Sequence, residues 1–299
     1  WYGERGWPTT PKVTILTRYL RLPQGAPGRE RAVQFLVDFY RNSFGSFLQD
    51  WQTAATSFDE LSFVSDLEPR ASSSKPASIA WAGQVAEQYY RLCAEAVRRH
   101  DPHHLILGSR FAYRAPTPVM EACGRYCDVV SMNHYSKSGV FNKELMDAVA
   151  ALTRRPILIT EFSWRAMENR SDLRNTSGAD VTVRTQQDRA DRFNTYAPRA
   201  LAQPYIVGYD WFCYHDQPPM GRFDGENSNY GLVDNADRPY EEITTALREM
   251  NARACELHAA SREPEPVYRE DVLSEYRPVQ LRAADRPLAA PVLFADGRA

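Results

Sequence analysis

A glutamate at the end of an apolar segment is the side chain of this sequence best placed to do chemistry. Residues 156–161 read Pro-Ile-Leu-Ile-Thr-Glu, so four residues suited to a buried strand lead directly into Glu161. A continuous apolar run of this kind is typical of a strand that is covered on both faces, as in a parallel sheet. Because burying a lone charge is costly, a carboxylate at this position indicates a catalytic or binding role. The alternative is a glutamate that caps a helix or forms an ion pair in a loop.

The elements that must position Glu161 alternate between strand and helix. Strands are predicted at residues 104–111, 128–135, 156–161 and 205–214, after a strand stub that ends at Glu4. Helices are predicted at residues 29–41, 79–100, from 117 onward, 145–152, 185–203 and 239–258. Thr117 is expected to be an N-cap with Pro118 as the first helical residue, and Thr185 and Asp188 resemble a capping pair. This alternation implies parallel strands joined by right-handed crossovers.

Two folds accommodate this pattern. The chain is either an open α/β sheet or part of a β/α barrel, because four strand–helix units and a stub do not close eight strands. The loops after the third and fourth strands, 162–183 and 221–237, are long and carry carboxylates and amides, and no glycine-rich phosphate-binding turn is visible. These loops favour the catalytic face of a barrel. We therefore predict the C-terminal portion of a (β/α)8 TIM barrel over residues 1–258, followed by a linker or the start of another domain at 259–299.

Composition excludes several classes of function. The chain has 299 residues and a formal net charge of -2, which gives no reason to expect nucleic acid or an anionic membrane as a partner. No apolar run approaches the roughly 18 residues of a membrane span. The five cysteines form no Cys-x-x-Cys motif and are expected to be scattered buried thiols, and the six histidines form no ligand cluster, so no metal or cofactor is predicted. If a segment preceding Trp1 carries a signal peptide, a periplasmic or secreted protein is expected.

Several strands, taken in order, resemble one group of enzymes. The segment Pro-Ile-Leu-Ile-Thr-Glu-Phe at 156–162 resembles the seventh-strand nucleophile motif of clan A glycoside hydrolases. Val-Val-Ser-Met-Asn-His-Tyr at 129–135 resembles their sixth strand, and His-Leu-Ile-Leu-Gly-Ser-Arg-Phe at 104–111 resembles the fifth. Gly-Tyr-Asp-Trp-Phe at 208–212 resembles the eighth. The resemblance is greatest to the bacterial β-galactosidases and β-agarases of families 42 and 50, and it covers about residues 1–258.

The resemblance implies two catalytic carboxyl groups. Glu161 corresponds to the nucleophile and Glu4 to the general acid/base. Retaining hydrolysis requires two such groups about 5–5.5 Å apart, one to attack the anomeric carbon and one to exchange a proton with the leaving oxygen and with water. The family places an asparagine before the acid/base, whereas this sequence has Gly3 there. That departure supports an alternative, a degenerate barrel that binds carbohydrate without hydrolysing it. The other alternative for Glu4 is an exposed charge.

The same resemblance implies a set of sugar-binding residues. Tyr135 is expected beside the nucleophile, with its hydroxyl donating to the carboxylate, and Trp211 is expected on the floor of the sugar subsite or in barrel packing. Asn133 shares the side of Tyr135 because strand side chains alternate, whereas His134 points away and is either a binding residue or a satisfied core histidine. Arg110 is expected to hydrogen-bond the sugar or the glutamate, or to pair with a neighbouring acid.

Retaining hydrolysis of a β-linked sugar is the activity implied, with a β-galactoside or a galactan such as agarose as the substrate. The implied partner is therefore an oligosaccharide or polysaccharide, with no cofactor, no nucleic acid and no membrane. Three loop carboxylates are expected to be structural or solvated rather than catalytic: Asp216, Asp224 and Glu226.

Overall fold

A computed structural model describes residues 14–64, 67–70, 75–112, 115–176, 178–179, 181–223, 225–262, 264–269 and 272–273. The chain divides into two compact units, of which the first comprises residues 1–104, 114–127 and 273–299 and the second residues 105–113 and 128–272. The predicted strand stub with Gly3 and Glu4 lies outside the described residues, as does Asp224.

The first unit is mainly helical. Its elements are α1 (Ile15–Leu20), α2 (Pro27–Phe39), α3 (Phe44–Asp50), β1 (Trp51–Gln52), a 3-10 turn (Asp59–Ser62), β2 (Glu68–Pro69), α4 (Lys75–His100) and α5 (Thr117–Tyr126). Strands β1 and β2 pair antiparallel. Large side chains with almost no exposure form its core, among them Phe35, Phe47, Trp51 and Trp81. Burial of these aromatics is the main stabilising contribution in this unit.

The start of α5 differs from the prediction. Pro116 is the N-cap, with φ -53 and ψ 140, and Thr117 is the first helical residue. The expected Thr117 cap is therefore wrong by one position. Pro116 already has the extended backbone that an N-cap requires, so the helix begins one residue earlier and Pro118 still falls within the first turn, where its missing N–H costs nothing.

The second unit contains the parallel sheet. Its elements are β3 (Arg110–Phe111), β4 (Val130–Asn133), α6 (Lys143–Thr153), β5 (Ile157–Phe162), β6 (Arg165–Ala166), β7 (Thr182–Val183), α7 (Gln186–Leu201), β8 (Ile206–Trp211) and α8 (Glu241–Ala259). Strands β3, β4, β5 and β8 pair in that order, and every pairing among them is parallel. The predicted parallel strands are therefore confirmed, and the fold is a mixed α/β structure. Among the described residues the sheet has four strands rather than a closed eight-stranded ring.

The first strand of this sheet is shorter than predicted. Gly108 has φ +72, a left-handed conformation that a regular strand does not contain, so only Arg110–Phe111 of the predicted 104–111 forms ladder pairs. The preceding residues still run beside β4, since the carbonyl oxygen of Ile106 accepts from the main chain of Asp128 at 2.9 Å. The side chains of Leu105 and Leu107 are 67% and 44% exposed.

Capping residues fix the helix that follows β5. Thr185 accepts from the main chain of Asp188, and the Asp188 carboxylate accepts from the main chain of Thr185. The predicted capping pair is confirmed, and α7 runs from Gln186 to Leu201.

Two further observations concern expectations from composition. The five cysteines are free, and Cys123 and Cys127 are buried, but Cys93 and Cys255 are exposed, so the expectation of buried thiols is wrong for these two. The two exposed cysteines lie on the long helices α4 and α8. Within the part of the chain that the structure describes, no helix has the length and apolarity needed to cross a membrane.

Candidate active site

Glu161 lies where the carboxyl ends of three neighbouring strands meet. It is the fifth residue of β5, and its partner across the ladder is Asn133, the last residue of β4. The pairing shifts register between Met132 and Asn133, and on the other side of β5 the last pair is Phe162 with Trp211. The Glu161 side chain is 17% exposed. A carboxylate is thus held at the rim of the sheet, largely shielded from water.

Two donors hold the two oxygens of this carboxylate. The Tyr135 hydroxyl donates to Glu161 Oε1 at 2.8 Å. The Arg110 guanidinium forms an ion pair with Glu161 Oε2. Arg110 also donates from Nη1 to Asn133 Oδ1 at 3.4 Å. β3 and the segment just after β4 therefore each supply a side chain to the glutamate on β5, and the contacts expected for Tyr135 and Arg110 are present.

The Tyr135 hydroxyl is kept neutral by its surroundings. Burial is the largest effect and raises the pKa of Tyr135 far above its ordinary value, and the nearby Tyr230 and the negative charge of Glu226 raise it further. A phenol with so high a pKa stays protonated at every physiological pH, so Tyr135 is a permanent hydrogen-bond donor to Glu161.

The side chain of His134 lies in the core rather than beside the Glu161 carboxylate, although its main-chain N–H donates to the Glu161 carbonyl oxygen at 2.9 Å. Its Nδ1 is 2.6 Å from the Tyr196 hydroxyl, and its ring stacks on the Tyr196 ring with a centroid distance of 5.4 Å. Phe141 packs against it at 5.7 Å. Burial lowers the pKa of His134 to about 4, so the imidazole is neutral above that pH. Of the two interpretations left open by the sequence, the structure favours the satisfied core histidine.

Trp211 is packed and partly exposed at the same time. Its indole Nε1 donates to the carbonyl oxygen of Tyr230 at 2.9 Å. Its ring contacts Phe162 at a centroid distance of 5.5 Å and Phe193 at 6.2 Å. Packing therefore accounts for part of the ring, and the residue remains partly exposed at the end of β8.

The loop carboxylates have structural partners. Asp216 is 4% exposed and accepts four hydrogen bonds. The four donors are Asn229 Nδ2 at 2.7 Å, the Gly231 main chain at 3.0 Å, the Ser171 hydroxyl at 2.7 Å and the Tyr240 hydroxyl at 2.7 Å. Glu226 is 7% exposed and accepts from Arg222 at 2.6 Å. Both carboxylates are buried rather than solvated. Asp216 ties the loop after β5 to the loop after β8.

Sequence reasoning did not identify Tyr230 and Arg189 as part of this region. The Tyr230 ring lies 6.4 Å from the Tyr135 ring, and its carbonyl oxygen accepts from Trp211. Arg189, on α7, donates to the same carbonyl oxygen at 3.0 Å. The stretch from Asn227 to Gly231 lies in a loop that the sequence assigned to the catalytic face without giving Tyr230 a role, and an arginine that binds main-chain carbonyls has no sequence signature. Across the described residues, no group of three or more His, Cys, Asp or Glu is placed to hold a metal ion.

Comparison with known proteins gives the context for this site. No protein-family model matches the chain. β-Agarase A of Vibrio sp. (strain JT0107) is 33% identical over 238 residues, which cover 76% of this chain and 23% of that protein. β-Agarase B of the same organism is 30% identical over 217 residues, which cover 72% of this chain and 22% of that protein. The chain is homologous to the β-agarases. It spans less than a quarter of the length of these two curated relatives.

Solved structures give the same result. An exo-β-agarase matches with a TM-score of 0.69 and 30% identity over 82% of this chain and 32% of that one. The agarase AgWH50C matches with a TM-score of 0.68 and 28% identity over 82% of this chain and 34% of that one. These relatives are agarases, so the likeness to family 42 and the placement in clan A stay predictions.

Proposed function

We propose that this chain forms the nucleophile-bearing part of a glycoside hydrolase that acts on agarose or a related β-linked galactan. The homology to β-agarases supports a glycosidase, and the relatives' names supply the substrate class. Because the chain covers only part of each relative, the activity belongs to the complete natural protein. We further propose that the four parallel strands are the fifth to eighth strands of a (β/α)8 barrel, whose first four strands are not among the four that the structure describes.

The observation that carries this proposal is the pair of donors on Glu161. A nucleophilic carboxylate must be ionised and must hold one orientation while it attacks. The hydroxyl of Tyr135 and the guanidinium of Arg110 bind different oxygens of Glu161, so they favour the charged form and prevent rotation of the carboxylate. Glu87 has a similar pair of donors but lies in α4, whereas Glu161 lies at the carboxyl end of a parallel strand, where the catalytic groups of α/β barrels are found.

The proposed reaction is a double displacement. One oxygen of Glu161 attacks the anomeric carbon and forms a glycosyl ester, while the bond from that carbon to the leaving oxygen breaks and Glu4 gives the leaving oxygen a proton. Water then attacks the same carbon, Glu4 takes a proton from the water, and the ester bond to Glu161 breaks. Trp211 is proposed to lie under the sugar ring, and Asn133 is proposed to bind a sugar hydroxyl beside Glu161.

The test of the nucleophile is Glu161→Gln in the complete natural protein. We expect loss of turnover on agaro-oligosaccharides, because a neutral amide cannot form the ester. Glu87 offers a matched control in the first unit, since it also accepts from an arginine, Arg125, and from a tyrosine hydroxyl, Tyr126. Glu87→Gln makes the same chemical change and should leave turnover within about two-fold. Undiminished hydrolysis by Glu161→Gln would show that the nucleophile assignment is wrong.

The test of the acid/base is Glu4→Gln. We expect a loss of about 10²–10⁴ in rate on agaro-oligosaccharides, whose leaving groups need a proton. An activated aryl β-galactoside should lose far less, and azide should partly restore turnover by attacking the accumulated glycosyl-enzyme to give a β-glycosyl azide. In an experimental structure the carboxyl carbons of Glu4 and Glu161 should lie within about 6 Å. A separation well beyond about 10 Å would remove Glu4 from the mechanism.

The activity of the natural protein decides between hydrolysis and its alternative. Gly3, which stands where the family has asparagine, is the feature of this sequence that favours a barrel that binds without cleaving. Binding of agaro-oligosaccharides without hydrolysis of any β-glycoside would establish that alternative.

A further inference from the structure

Arg189 is a fully buried arginine behind the candidate site. It lies in the first turn of α7, one residue after the capping pair, and its exposure is 0%. Its guanidinium makes four hydrogen bonds: Nε to the Trp164 carbonyl at 2.8 Å, Nη1 to Gln186 Oε1 at 2.7 Å, and Nη2 to the Tyr230 and Gly231 carbonyls at 3.0 and 2.7 Å. Three of these acceptors are main-chain carbonyl oxygens and the fourth is the side chain of Gln186, so Arg189 mainly holds the backbone in place.

The three carbonyl groups belong to the loops that follow β5 and β8. Trp164 lies just after β5, the strand of Glu161, and Tyr230 and Gly231 lie in the loop after β8. A planar guanidinium with donors in a fixed fork can bind both loops at once. Burial of the charge is costly and lowers the pKa of Arg189 to about 10, with the negative charge of Asp216 opposing the shift, so the group is still cationic at neutral pH. A cation kept in the core at this cost indicates a specific use.

The contacts lead from Arg189 to the site through Trp211. The Tyr230 carbonyl accepts from Arg189 and from the Trp211 indole at 2.9 Å. The Arg189 guanidinium also lies over the Trp211 ring, 5.5 Å from its centroid. The ring of Tyr230 contacts that of Tyr135, whose hydroxyl holds Glu161. Arg189 thus lies over the indole ring and shares with the indole N–H the same carbonyl acceptor.

We propose that Arg189 is a positioning residue for sugar hydrolysis, which holds Trp211 in place at the end of β8, directly and through the Tyr230 carbonyl, while touching no substrate itself. This inference rests on the proposed function for its kinetic consequence, but the positioning itself is a property of the fold. Lysine cannot replace it, because an ammonium group is a point donor that cannot reach carbonyls on both loops together.

The experiment is a double-mutant cycle in the complete natural protein, with Arg189→Lys, Trp211→Phe and both changes together. We expect Arg189→Lys to lower kcat/KM on agaro-oligosaccharides by about 10- to 10²-fold, since a displacement near 1 Å has effects of this size. If Arg189 acts through the indole, Arg189→Lys should lower kcat/KM by less than about three-fold when it is made in the Trp211→Phe variant. If the loss of kcat/KM in the double variant equals the product of the losses in the two single variants, the proposal is overturned.

A matched control separates positioning from stability. Arg29, in the first unit, is 8% exposed and also donates to main-chain carbonyls, those of Leu22 at 3.0 Å and Leu61 at 3.3 Å. Arg29→Lys should lower Tm to a similar extent and leave kcat/KM within about two-fold. Equal kinetic losses in the two variants would mean that Arg189 has a structural role alone.

A second readout does not depend on hydrolysis. Hydrogen exchange should become faster at the amides of residues 228–233 in Arg189→Lys but not in Arg29→Lys, because only the first variant releases the loop after β8. Unchanged exchange there would overturn the proposal even if the enzyme is active. Faster exchange would support it even if the natural protein proves inactive and the proposed function fails. Should Arg189→Lys not fold, Arg189→Met removes the buried charge while keeping the volume, and the same comparisons apply.

Discussion

Tyr135→Phe is the smallest change that tests how the site holds its nucleophile. The substitution removes one oxygen atom, the donor of the 2.8 Å hydrogen bond to Glu161 Oε1, and leaves the ring and its contact with Tyr230 in place. Because burial keeps the pKa of Tyr135 far above neutrality, the hydroxyl donates at every pH of the assay, and its removal has the same meaning throughout.

The magnitude follows from the hydrogen bond that is lost. A hydrogen bond to a charged group contributes about 1.5–3 kcal/mol, which corresponds to about 10- to 150-fold in rate. The Glu161 carboxylate still has its ion pair with Arg110 after the change, so it is not left without a donor. We therefore expect the lower part of that range, a fall in kcat/KM of about 10- to 40-fold on agaro-oligosaccharides.

Tyr209→Phe is the matched control for this prediction. Tyr209 is on β8, burial raises its pKa to about 12, and its hydroxyl donates to Asn251 Oδ1 at 2.6 Å. Its loss should lower Tm slightly and leave kcat/KM within about two-fold. Steady-state kinetics and thermal unfolding of both variants, made in the complete natural protein, decide the matter. A Tyr135→Phe enzyme within about three-fold of the wild type would refute the idea that this hydroxyl positions Glu161.

Three other outcomes are expected. Arg110→Met should lower kcat/KM by about 10-fold, measured beside Tyr135→Phe, since it removes a charge-assisted donor that is partly exposed and so partly screened; no change would contradict its assigned contact. The pKa of His134 is lowered to about 4, so as pH falls the unfolded chain binds a proton before the folded chain does, and the folded state loses stability between about pH 6.5 and 4. His134→Gln should reduce this loss in the free energy of unfolding, measured with urea, by roughly 3 kcal/mol. Thr185→Ala should cost about 1 kcal/mol in the same assay without changing kcat/KM, because it removes the N-cap of α7; a kinetic loss would contradict a purely structural cap.

The strands that carry the site were predictable because they are short apolar runs. Strands β4, β5 and β8 begin and end within one to three residues of their predicted bounds. The continuous Ile/Leu run of β5 is the clearest case, because it has few other structures open to it in an α/β chain. The interruption of the first strand at Gly108 was not predictable, because the sequence does not show whether a glycine inside an apolar segment has a positive or a negative φ. The short strands of the first unit, β1 and β2, were not predicted, because a strand of two residues is too short to show an alternation of apolar and polar side chains.

The site itself was predictable as far as strand ends determine it. Neighbouring parallel strands bring their carboxyl ends together, so Arg110, Asn133, Tyr135 and Glu161 had to be close if the strands were adjacent. Arg189 was not predictable, because it acts from a helix on main-chain carbonyls, and every residue type offers that acceptor. Contacts of this kind depend on the path of loops whose course only the folded chain defines.

One strand end shows how a single physical effect serves two purposes. His134 and Tyr135 are adjacent, yet alternation sends the imidazole into the core against Tyr196 and the phenol toward Glu161. Burial lowers the pKa of His134 to about 4 and raises that of Tyr135, so both groups are neutral across the physiological range. Neither can therefore account for a change in activity near neutral pH.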